Sequence, residues 1–251
     1  MKLVFSQPFR LELDGASLFR SGEKLEAGAR SIKSMEDVIA DESFYASAKK
    51  EKDIYFMYRQ LALCRMIRYD VTVIPPDTLG FEFVKTLGHY HPVAKSKRSY
   101  TEVYEVLAGE AHYVLQIRTQ GTVEVVVVKA KKGDKVIIPP NYGHVTINPS
   151  KTETLVMANL VYEGFDSDYR DYKKLRGAAY YEKTDGTLVP NESYGKVVLK
   201  EVVDAPEYEK RFEVSQLIEG RSLINLLNEK PWLFDFLIDP DKLKYERLVD
   251  E

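Results

Sequence analysis

The sequence contains one cysteine, one tryptophan, four histidines and no long apolar run, and these scarcities exclude several classes of protein. Cys64 has no second cysteine with which to form an internal disulfide, which fits a reducing compartment. Charged residues interrupt every apolar run well before 18 residues, so the sequence offers no transmembrane helix. The first ten residues lack the apolar run of a signal peptide. We therefore expect a cytoplasmic protein without a membrane partner.

The charge of the chain is nearly balanced. Its 251 residues carry a formal net charge of -3, so there is no electrostatic reason to expect nucleic acid as a partner. Hydrophobic residues make up 44% of the chain, which is ordinary for a globular protein. A chain of this length can bury a full core. The 17 tyrosines suit a fold rich in β-strands.

Short strands separated by turn signals dominate the middle of the chain. Runs rich in β-branched and aromatic residues predict strands at 54–63, 66–74, 81–87, 100–107, 111–118, 122–130, 135–138, 144–148 and 154–162. Without helical patterns between them, these strands indicate an antiparallel sandwich or barrel. The prediction is a mainly all-β chain with short N- and C-terminal helices.

The ends of the chain are expected to elaborate this β domain. Ser34, with Asp37 three residues later, predicts a helix start, and the charged stretch 41–53 predicts that this helix is short. Residues 214–230 and 231–238 have helix-like apolar spacing. We predict an N-terminal extension that packs on the barrel at 1–52, a core at 53–163 and a C-terminal extension at 164–251.

Two of the four histidines stand one residue apart, as His89 and His91. On a strand this spacing aims both imidazoles at one point. Glu102 and Tyr104 repeat the spacing on the next alternating run, and His144 follows a further strand and turn. Three imidazoles and a carboxylate suit one divalent transition metal, and this ligand set accepts iron, manganese, nickel and zinc. We expect iron. The other histidine, His112, is expected to be structural.

Two stretches resemble the two conserved signatures of the cupin superfamily, small β-barrels that hold a metal. The first signature matches His89, His91, Glu102 and Gly109, and the second matches Gly133, Pro139, His144 and Asn148. The resemblance implies a double-stranded β-helix, or jelly-roll barrel.

The chain departs from these signatures at three places. Phe83 stands where the first signature opens with glycine, and Asn141 replaces an internal glycine of the second. Asparagine tolerates a positive φ better than other residues do. Ten residues separate His91 from Glu102, where the signature has three or four, and we expect them to form a loop at the barrel mouth.

Within the superfamily, residues 53–163 resemble the cupin-type phosphoglucose isomerases of archaea and some bacteria. The match is carried by Lys85-Thr86-Leu87-Gly88-His89-Tyr90-His91, by Glu102-Val103-Tyr104 and by the histidine after Pro139-Pro140. The resemblance implies a homodimer that interconverts glucose 6-phosphate and fructose 6-phosphate in glycolysis and gluconeogenesis. It implies metal ligation by His89, His91, Glu102 and His144, and a sugar contact from Tyr104. It also implies phosphate contacts from Thr72, Thr86, Gly88 and Tyr162.

Two questions remain open at the level of sequence. Isomerisation can run by proton abstraction through a cis-enediol, with Glu102 as base and Tyr104 at the reacting end, or by a metal-assisted hydride shift. Two alternative functions are a metal-dependent dioxygenase and a non-catalytic cupin that binds a sugar phosphate. A neighbouring carboxylate, Glu105, is expected to face away from Glu102 into solvent.

Overall fold

The computed structural model describes residues 2–248, and strands make up most of its regular structure. The strands are β1 (Lys2–Phe5), β2 (Leu11–Asp14), β3 (Ser17–Arg20), β4 (Glu23–Lys24), β5 (Gly28–Ser31), β6 (Asp53–Cys64), β7 (Ile67–Ile74), β8 (Thr78–Leu79), β9 (Glu82–Phe83), β10 (Glu102–Ala108), β11 (Glu110–Thr119), β12 (Thr122–Lys131), β13 (Lys135–Ile138), β14 (Gly143–Ile147), β15 (Leu155–Tyr162), β16 (Tyr180–Glu182), β17 (Leu188–Pro190) and β18 (Val197–Asp204). The helices are α1 (Glu42–Ser47), α2 (Arg170–Lys174), α3 (Ala205–Glu209), α4 (Ser215–Ile218) and α5 (Leu223–Glu229), and 3₁₀ helices cover Lys33–Val38, Glu192–Tyr194, Pro231–Leu237 and Pro240–Lys242.

Two sheets form the core of the fold. One has six strands in the order β13-β10-β15-β7-β6-β5, and the other has four in the order β14-β11-β12-β18. All neighbours in these sheets run antiparallel except β12 and β18, which are parallel. This is the cupin jelly-roll arrangement, so the predicted fold class is confirmed. A separate sheet of β1 to β4 lies at the N-terminal end.

Cross-strand register places the site residues in rows on one face of the six-stranded sheet. Glu102 on β10 lies opposite Val161 on β15, which lies opposite Arg68 on β7. The next row joins Tyr104, Asn159 and Asp70. Because directly opposite residues point to the same face, each row carries polar side chains from separate strands into one space. This register gives the fold its functional geometry.

The predicted strands from 54 to 162 are present with one main exception. Within 81–87 the regular strand covers only β9, and the chain then continues as an extended segment with isolated bridges from Lys85 to Ile147 and from His89 to His144. Gly88, with φ of 84°, interrupts the segment. The backbone here must turn towards the site, which a regular strand would not allow.

Both predicted extensions contribute strands to the core sheets. β5 pairs with β6, and β18 pairs with β12. The domain boundaries at 52/53 and 163/164 stay predictions, and residues 1 and 249–251 of the two extensions lie outside the described residues. No helix within residues 2–248 has both the length and the apolar character needed to cross a membrane.

Two local predictions were wrong. Ser34 does not cap a helix: it lies inside the 3₁₀ helix Lys33–Val38 and donates its hydroxyl to the carbonyl of Ser31 at 2.7 Å. The α-helix of this region, α1, lies instead in the charged stretch, where the Asp41 carboxylate accepts from the backbone N–H of Phe44 at 2.9 Å. An aspartate three residues before that N–H is itself a strong cap signal.

Glu105 was also wrongly expected in solvent. It faces away from Glu102, but the C-terminal helices cover it, and it is 6% exposed. Its carboxylate accepts from the backbone N–H of Leu223 at the start of α5, at 2.8 Å. Burial raises the pKa of Glu105, and this hydrogen bond opposes the rise. The carboxylate thus anchors a C-terminal helix on the barrel.

Candidate active site

Three histidines and one glutamate converge inside the barrel. The candidate ligand atoms of His89, His91, Glu102 and His144 all lie within 4.8 Å of one another. His91, Glu102 and His144 are each at most 5% exposed, and His89 is half-buried. The four side chains come from three parts of the fold: the extended segment after β9, the start of β10, and β14. The sequence pattern therefore identified residues that the fold brings together.

The ten-residue spacer before Glu102 is held by another departure from the cupin signatures, Asn141. The backbone N–H of Ser99 donates to the Asn141 side-chain oxygen at 3.0 Å, and the Ser99 hydroxyl accepts from the Asn141 N–H at 2.6 Å. Asn141 has φ of 71°, the conformation for which glycine or asparagine is preferred. The two departures hold each other in place, so the long spacer still delivers Glu102 to the histidines.

The spacer also orients one of the candidate ligands. The carbonyl of Tyr100, at the end of the spacer, lies 3.0 Å from Nδ1 of His91. A hydrogen on Nδ1 that donates to this carbonyl leaves Nε2 as a free lone pair facing the cluster. The Asn159 side-chain N–H₂ donates to Oε1 of Glu102 at 2.6 Å and orients the carboxylate in the same way. Metal-binding residues typically make such hydrogen bonds with the atom that does not face the metal.

The distances between the facing atoms fit a single metal ion. Nε2 of His89 and Nε2 of His91 are 3.2 Å apart, and Oε2 of Glu102 is 3.3 Å from Nε2 of both His91 and His144. Two ligands that each lie about 2.0–2.1 Å from one metal are separated by roughly 3.0–3.4 Å at ordinary coordination angles. Oε2 of Glu102 is buried and has no hydrogen-bond partner within the described chain. The donor set and its spacing therefore fit a divalent transition metal.

The protonation states of the cluster suit a cation. Burial lowers the pKa of His89 well below its ordinary value of 6.5, with the charges of His144 and His91 acting in the same direction. Burial also lowers the pKa of His144. Burial acts to raise the pKa of Glu102, but the side chains of His144 and His91, whose Nε2 atoms lie 3.3 Å from Oε2, outweigh it, and the pKa lies well below its ordinary value. At neutral pH, neutral His89 and His144 thus face an ionised Glu102, which is the form that binds metals.

These pKa shifts predict that the metal-free protein loses stability as the pH falls below about 6.5. The unfolded chain protonates His89 and His144 near 6.5, whereas the folded chain protonates them only at lower pH. The unfolded state therefore takes up more protons in this window, and the free energy of unfolding decreases as the pH falls. Urea unfolding of chelator-treated protein between about pH 8 and about pH 5 measures the slope.

A double variant, His89→Ala with His144→Ala, is the control for this slope. It removes the imidazoles of His89 and His144 but keeps Glu209, whose pKa is raised by burial to about 7. Glu209 acts in the opposite direction, because the folded chain holds its proton up to a higher pH than the unfolded chain does. We expect the fall in stability below pH 6.5 to be smaller in the variant than in the wild type. Equal slopes in the two proteins would contradict the assignment of this effect to the histidine cluster.

Tyr104 lies beside the cluster, as its shared face with Glu102 predicted. Its hydroxyl oxygen is 3.0 Å from Nε2 of His144. Burial raises the pKa of Tyr104 well above its ordinary value, and the charge of Glu102 adds to the rise. The hydroxyl therefore stays protonated at neutral pH and can donate a hydrogen bond next to the ligand atoms.

A cavity of about 80 Å³ lies against the cluster and opens between the six-stranded sheet and the extended segment. Three of the four residues predicted to contact phosphate line it: Thr72, Thr86 and Gly88. The fourth, Tyr162, is not among the lining residues. Side chains alternate along β15, so Val161 faces the cavity and the Tyr162 ring packs on Tyr100 and Phe165 instead. The roles of all four residues stay predictions.

The sequence reading missed several lining residues on the same sheet. Arg59, Arg68, Asp70 and Asn159 all line the cavity. Counting back from Thr72 in steps of two along the predicted strand gives Asp70 and Arg68. Strand alternation therefore already indicated that these two residues share a face with Thr72. Alternation did not indicate Arg59, because a register shift in β6 between Tyr58 and Ala62 determines its position.

The loop after β15 covers the cavity with aromatic rings. Phe165 packs on His91 with ring centroids 4.8 Å apart, and Tyr169 packs on His89 at 5.5 Å. Ser167 also lines the cavity. The loop is fastened by two backbone hydrogen bonds between Tyr90 and Asp168, at 2.9 and 2.8 Å. It carries no histidine.

The remaining histidine and Lys85 lie away from the cluster. Nδ1 of His112 contacts both carboxylate oxygens of Glu182, at 2.9 and 2.8 Å. Lys85 is buried and pairs with Glu82. Both residues stabilise the structure around β16 and do not line the cavity.

Comparisons with known proteins show which family the chain is similar to. A family model described as glucose-6-phosphate isomerase (GPI) matches residues 28–198. The glucose-6-phosphate isomerase of Thermococcus litoralis is 30% identical over 205 residues, which cover 79% of this chain and 97% of that protein. That of Pyrococcus furiosus is 27% identical over 218 residues, covering 82% of this chain and all of that protein.

One solved structure shows a weak likeness to the chain. The cupin domain of Schizosaccharomyces pombe Cnp3 gives a TM-score of 0.31 at 10% identity, over 42% of this chain and 62% of that one, and a likeness at this level carries no argument. The family match covers more than half of the chain and includes all four residues of the cluster. The chain belongs to the glucose-6-phosphate isomerase family.

Proposed function

We propose that this protein is a metal-dependent aldose–ketose isomerase that interconverts glucose 6-phosphate and fructose 6-phosphate. The observation that carries the proposal is the buried group of His89, His91, Glu102 and His144, which adjoins a cavity with phosphate-compatible donors. The relatives named glucose-6-phosphate isomerase supply glucose 6-phosphate as a substrate, and the family resemblance implies fructose 6-phosphate as its partner. The cluster supplies a place for the reacting carbons, and the donors supply a place for the phosphate.

We assign the phosphate to Thr72, Thr86 and Gly88, which all line the cavity. The Thr86 hydroxyl oxygen accepts from the backbone N–H of Thr146 at 3.0 Å, so its hydrogen is free to donate to a phosphate oxygen. Thr72 offers a second hydroxyl from β7. Gly88 has no side chain, which lets a charged group approach the backbone closely. The contact from Tyr162 stays a prediction from the family resemblance.

Glu102 acts better as a ligand than as a free base. Oε1 accepts a hydrogen bond from Asn159, and Oε2 faces His91 and His144. A carboxylate held in this way, with a pKa well below its ordinary value, has little tendency to take up a proton. A metal bound here would polarise the sugar oxygens at C1 and C2. Tyr104 would donate its hydroxyl hydrogen to one of these oxygens.

Both chemical routes remain compatible with this arrangement. A cis-enediol route needs a base near C1 and C2, and Glu102 fills that role only if one of its oxygens is released from the cluster. A hydride shift needs no base, so it conflicts less with the contacts of Glu102. Exchange of the C2 hydrogen with deuterated water distinguishes the two: retention in the product favours the hydride shift.

We further propose iron as the native metal and a cytoplasmic homodimer as the working form. The ligand set also accepts manganese, nickel and zinc, and supply in the cell decides among them. The single Cys64 fits a reducing compartment. The proposed substrate pair places the enzyme in glycolysis and gluconeogenesis. Metal analysis and light scattering of the purified protein test the metal and the dimer separately.

One assay separates the isomerase from both alternative functions. Purified protein is incubated with fructose 6-phosphate with and without oxygen, and the sugars are followed by NMR. An isomerase forms glucose 6-phosphate at the same rate in both conditions. A dioxygenase consumes oxygen and gives no anaerobic turnover, and a silent cupin leaves the substrate unchanged with any divalent metal. Either of the last two results would overturn the proposal.

A further inference from the structure

Arginines surround the cavity on the sheet side, and one of them lacks a carboxylate partner. Arg59 and Arg68 line the cavity. Arg68 donates from Nε to Asp70 at 2.8 Å. Arg59 forms no ion pair with any of residues 2–248, and its only polar contact in that part of the chain is with Sδ of Met57 at 4.0 Å. Arg59 therefore lines the cavity without a paired carboxylate among residues 2–248, while Asp70, which lines the same cavity, is paired with Arg68.

A third arginine, Arg30, lies on β5, which pairs with the strand that carries Arg59. Its guanidinium carbon is 5.6 Å from the ring centroid of Tyr169, and its Nε is buried without a hydrogen-bond partner in the described structure. Arg30 lies opposite Tyr55 on the neighbouring strand, and the rings of Tyr55 and Tyr169 both line the cavity. Arg30 adds a second positive charge to the same side, and it forms no ion pair with a carboxylate of residues 2–248.

The position of Arg59 depends on a bulge in β6. Tyr58 pairs with Val71 and Ala62 pairs with Tyr69, so four residue steps on β6 match two on β7. Gln60, inside the bulge, has φ of 58°, and its backbone N–H donates to Oδ1 of Asp70 at 2.8 Å. Bulges of this kind redirect side chains and are frequent beside active sites. The carboxylate that holds the bulge is thus the one that also holds Arg68.

We propose that Arg59 is a specificity residue that binds the phosphate group of the substrate. The inference rests on the proposed function and extends it. The threonine hydroxyls and the glycine backbone assigned to the phosphate carry no formal charge, and Arg59 would supply a positive charge for the phosphate dianion. A guanidinium presents paired N–H donors that match phosphate oxygens, and one that is not already paired with a carboxylate is available for this contact. The bulge keeps Arg59 on the lining of the cavity, where it would contact the phosphate of an entering sugar.

A kinetic signature follows from this role. Arg59 would hold the phosphate equally in the bound substrate and in the transition state, so its loss weakens binding more than turnover. We expect Arg59→Gln to raise KM for fructose 6-phosphate about 10- to 100-fold, with a much smaller change in kcat. Arg59→Lys keeps the charge but loses the paired donors, and its KM is expected to lie between those of the wild type and Arg59→Gln.

Arg65→Gln is the matched control. Arg65 lies on the turn of the same hairpin and pairs with Asp235 at 3.2 Å, and it does not line the cavity. The control removes the same charge at a nearby position. We expect it to leave KM and kcat unchanged and to retain the metal content of the wild type, as both Arg59 variants should.

A binding measurement separates this inference from the proposed function. Fructose 6-phosphate and inorganic phosphate are titrated by calorimetry into the metal-loaded wild type, Arg59→Gln and Arg65→Gln. We expect both ligands to bind Arg59→Gln about 10- to 100-fold more weakly than either of the other proteins. If the wild type binds fructose 6-phosphate without converting it, the proposed function fails while this inference stands. Equal affinities of Arg59→Gln and Arg65→Gln, with folding and metal content intact, would overturn the inference.

Discussion

Replacing His89 and His144 together by alanine is expected to abolish metal binding and to lower isomerase activity by at least about a thousandfold. The two side chains come from separate elements and provide half of the candidate ligands. Their loss leaves His91 and Glu102, which is too few for a stable site of a first-row metal. Metal analysis and the fructose 6-phosphate assay measure the two effects on the same preparation.

The fourth histidine of the chain supplies the control for this experiment. His112→Gln removes an imidazole from a position outside the cluster and keeps a donor for Glu182. We expect this variant to retain its metal and its activity. Thermal unfolding of both variants checks that they are folded. Full activity in the double variant would show that the chemistry does not need the cluster.

Gly88→Ala is expected to reduce the free energy of unfolding by about 2–5 kcal/mol and to lower activity as well. Gly88 has φ of 84°, and a Cβ at this position would lie 2.5 Å from atoms of both Tyr172 and Val145. Neither the Tyr172 ring nor the Val145 side chain can move away easily, because both are buried in the core. Since His89 follows directly, any shift of the backbone also displaces a candidate ligand. Urea unfolding of the metal-loaded protein measures the loss.

Gly121→Ala separates the two causes of this effect. Gly121 has φ of 82°, but a Cβ there would meet nothing within 4 Å. This control therefore bears the backbone strain alone, which costs roughly 1–2 kcal/mol. We expect Gly88→Ala to be clearly more destabilising than Gly121→Ala. Equal losses would mean that the close packing of the segment before His89 is not as described.

The spacing of a few polar residues predicted most of the candidate site. His89, His91, Glu102 and His144 could be identified because metal ligation restricts both residue type and position along strands. Asn141 was expected to accept a positive φ, and it does. The alternation that located Thr72 also contained Arg68 and Asp70, which a stricter use of the same period would have found.

Other features depended on contacts that no local pattern contains. Arg59 reaches the cavity because Asp70 holds a bulge in place by accepting from the backbone N–H of Gln60, ten residues earlier. Glu105 is buried because α5, more than a hundred residues later, covers it. The link between Asn141 and Ser99 joins two separate deviations from the cupin pattern, and each one alone gave no hint of the other. Such tertiary contacts override the local preferences on which sequence patterns rest.

The most direct test of the central claim is removal and return of the metal in one preparation of the wild-type protein. The protein is treated with a chelator, dialysed, assayed for conversion of fructose 6-phosphate, and then assayed again after stoichiometric addition of iron, manganese, nickel or zinc. We predict loss of activity in proportion to the metal removed, and recovery with about one equivalent of at least one of these metals. Undiminished conversion by protein that metal analysis finds to be free of metal would contradict the account.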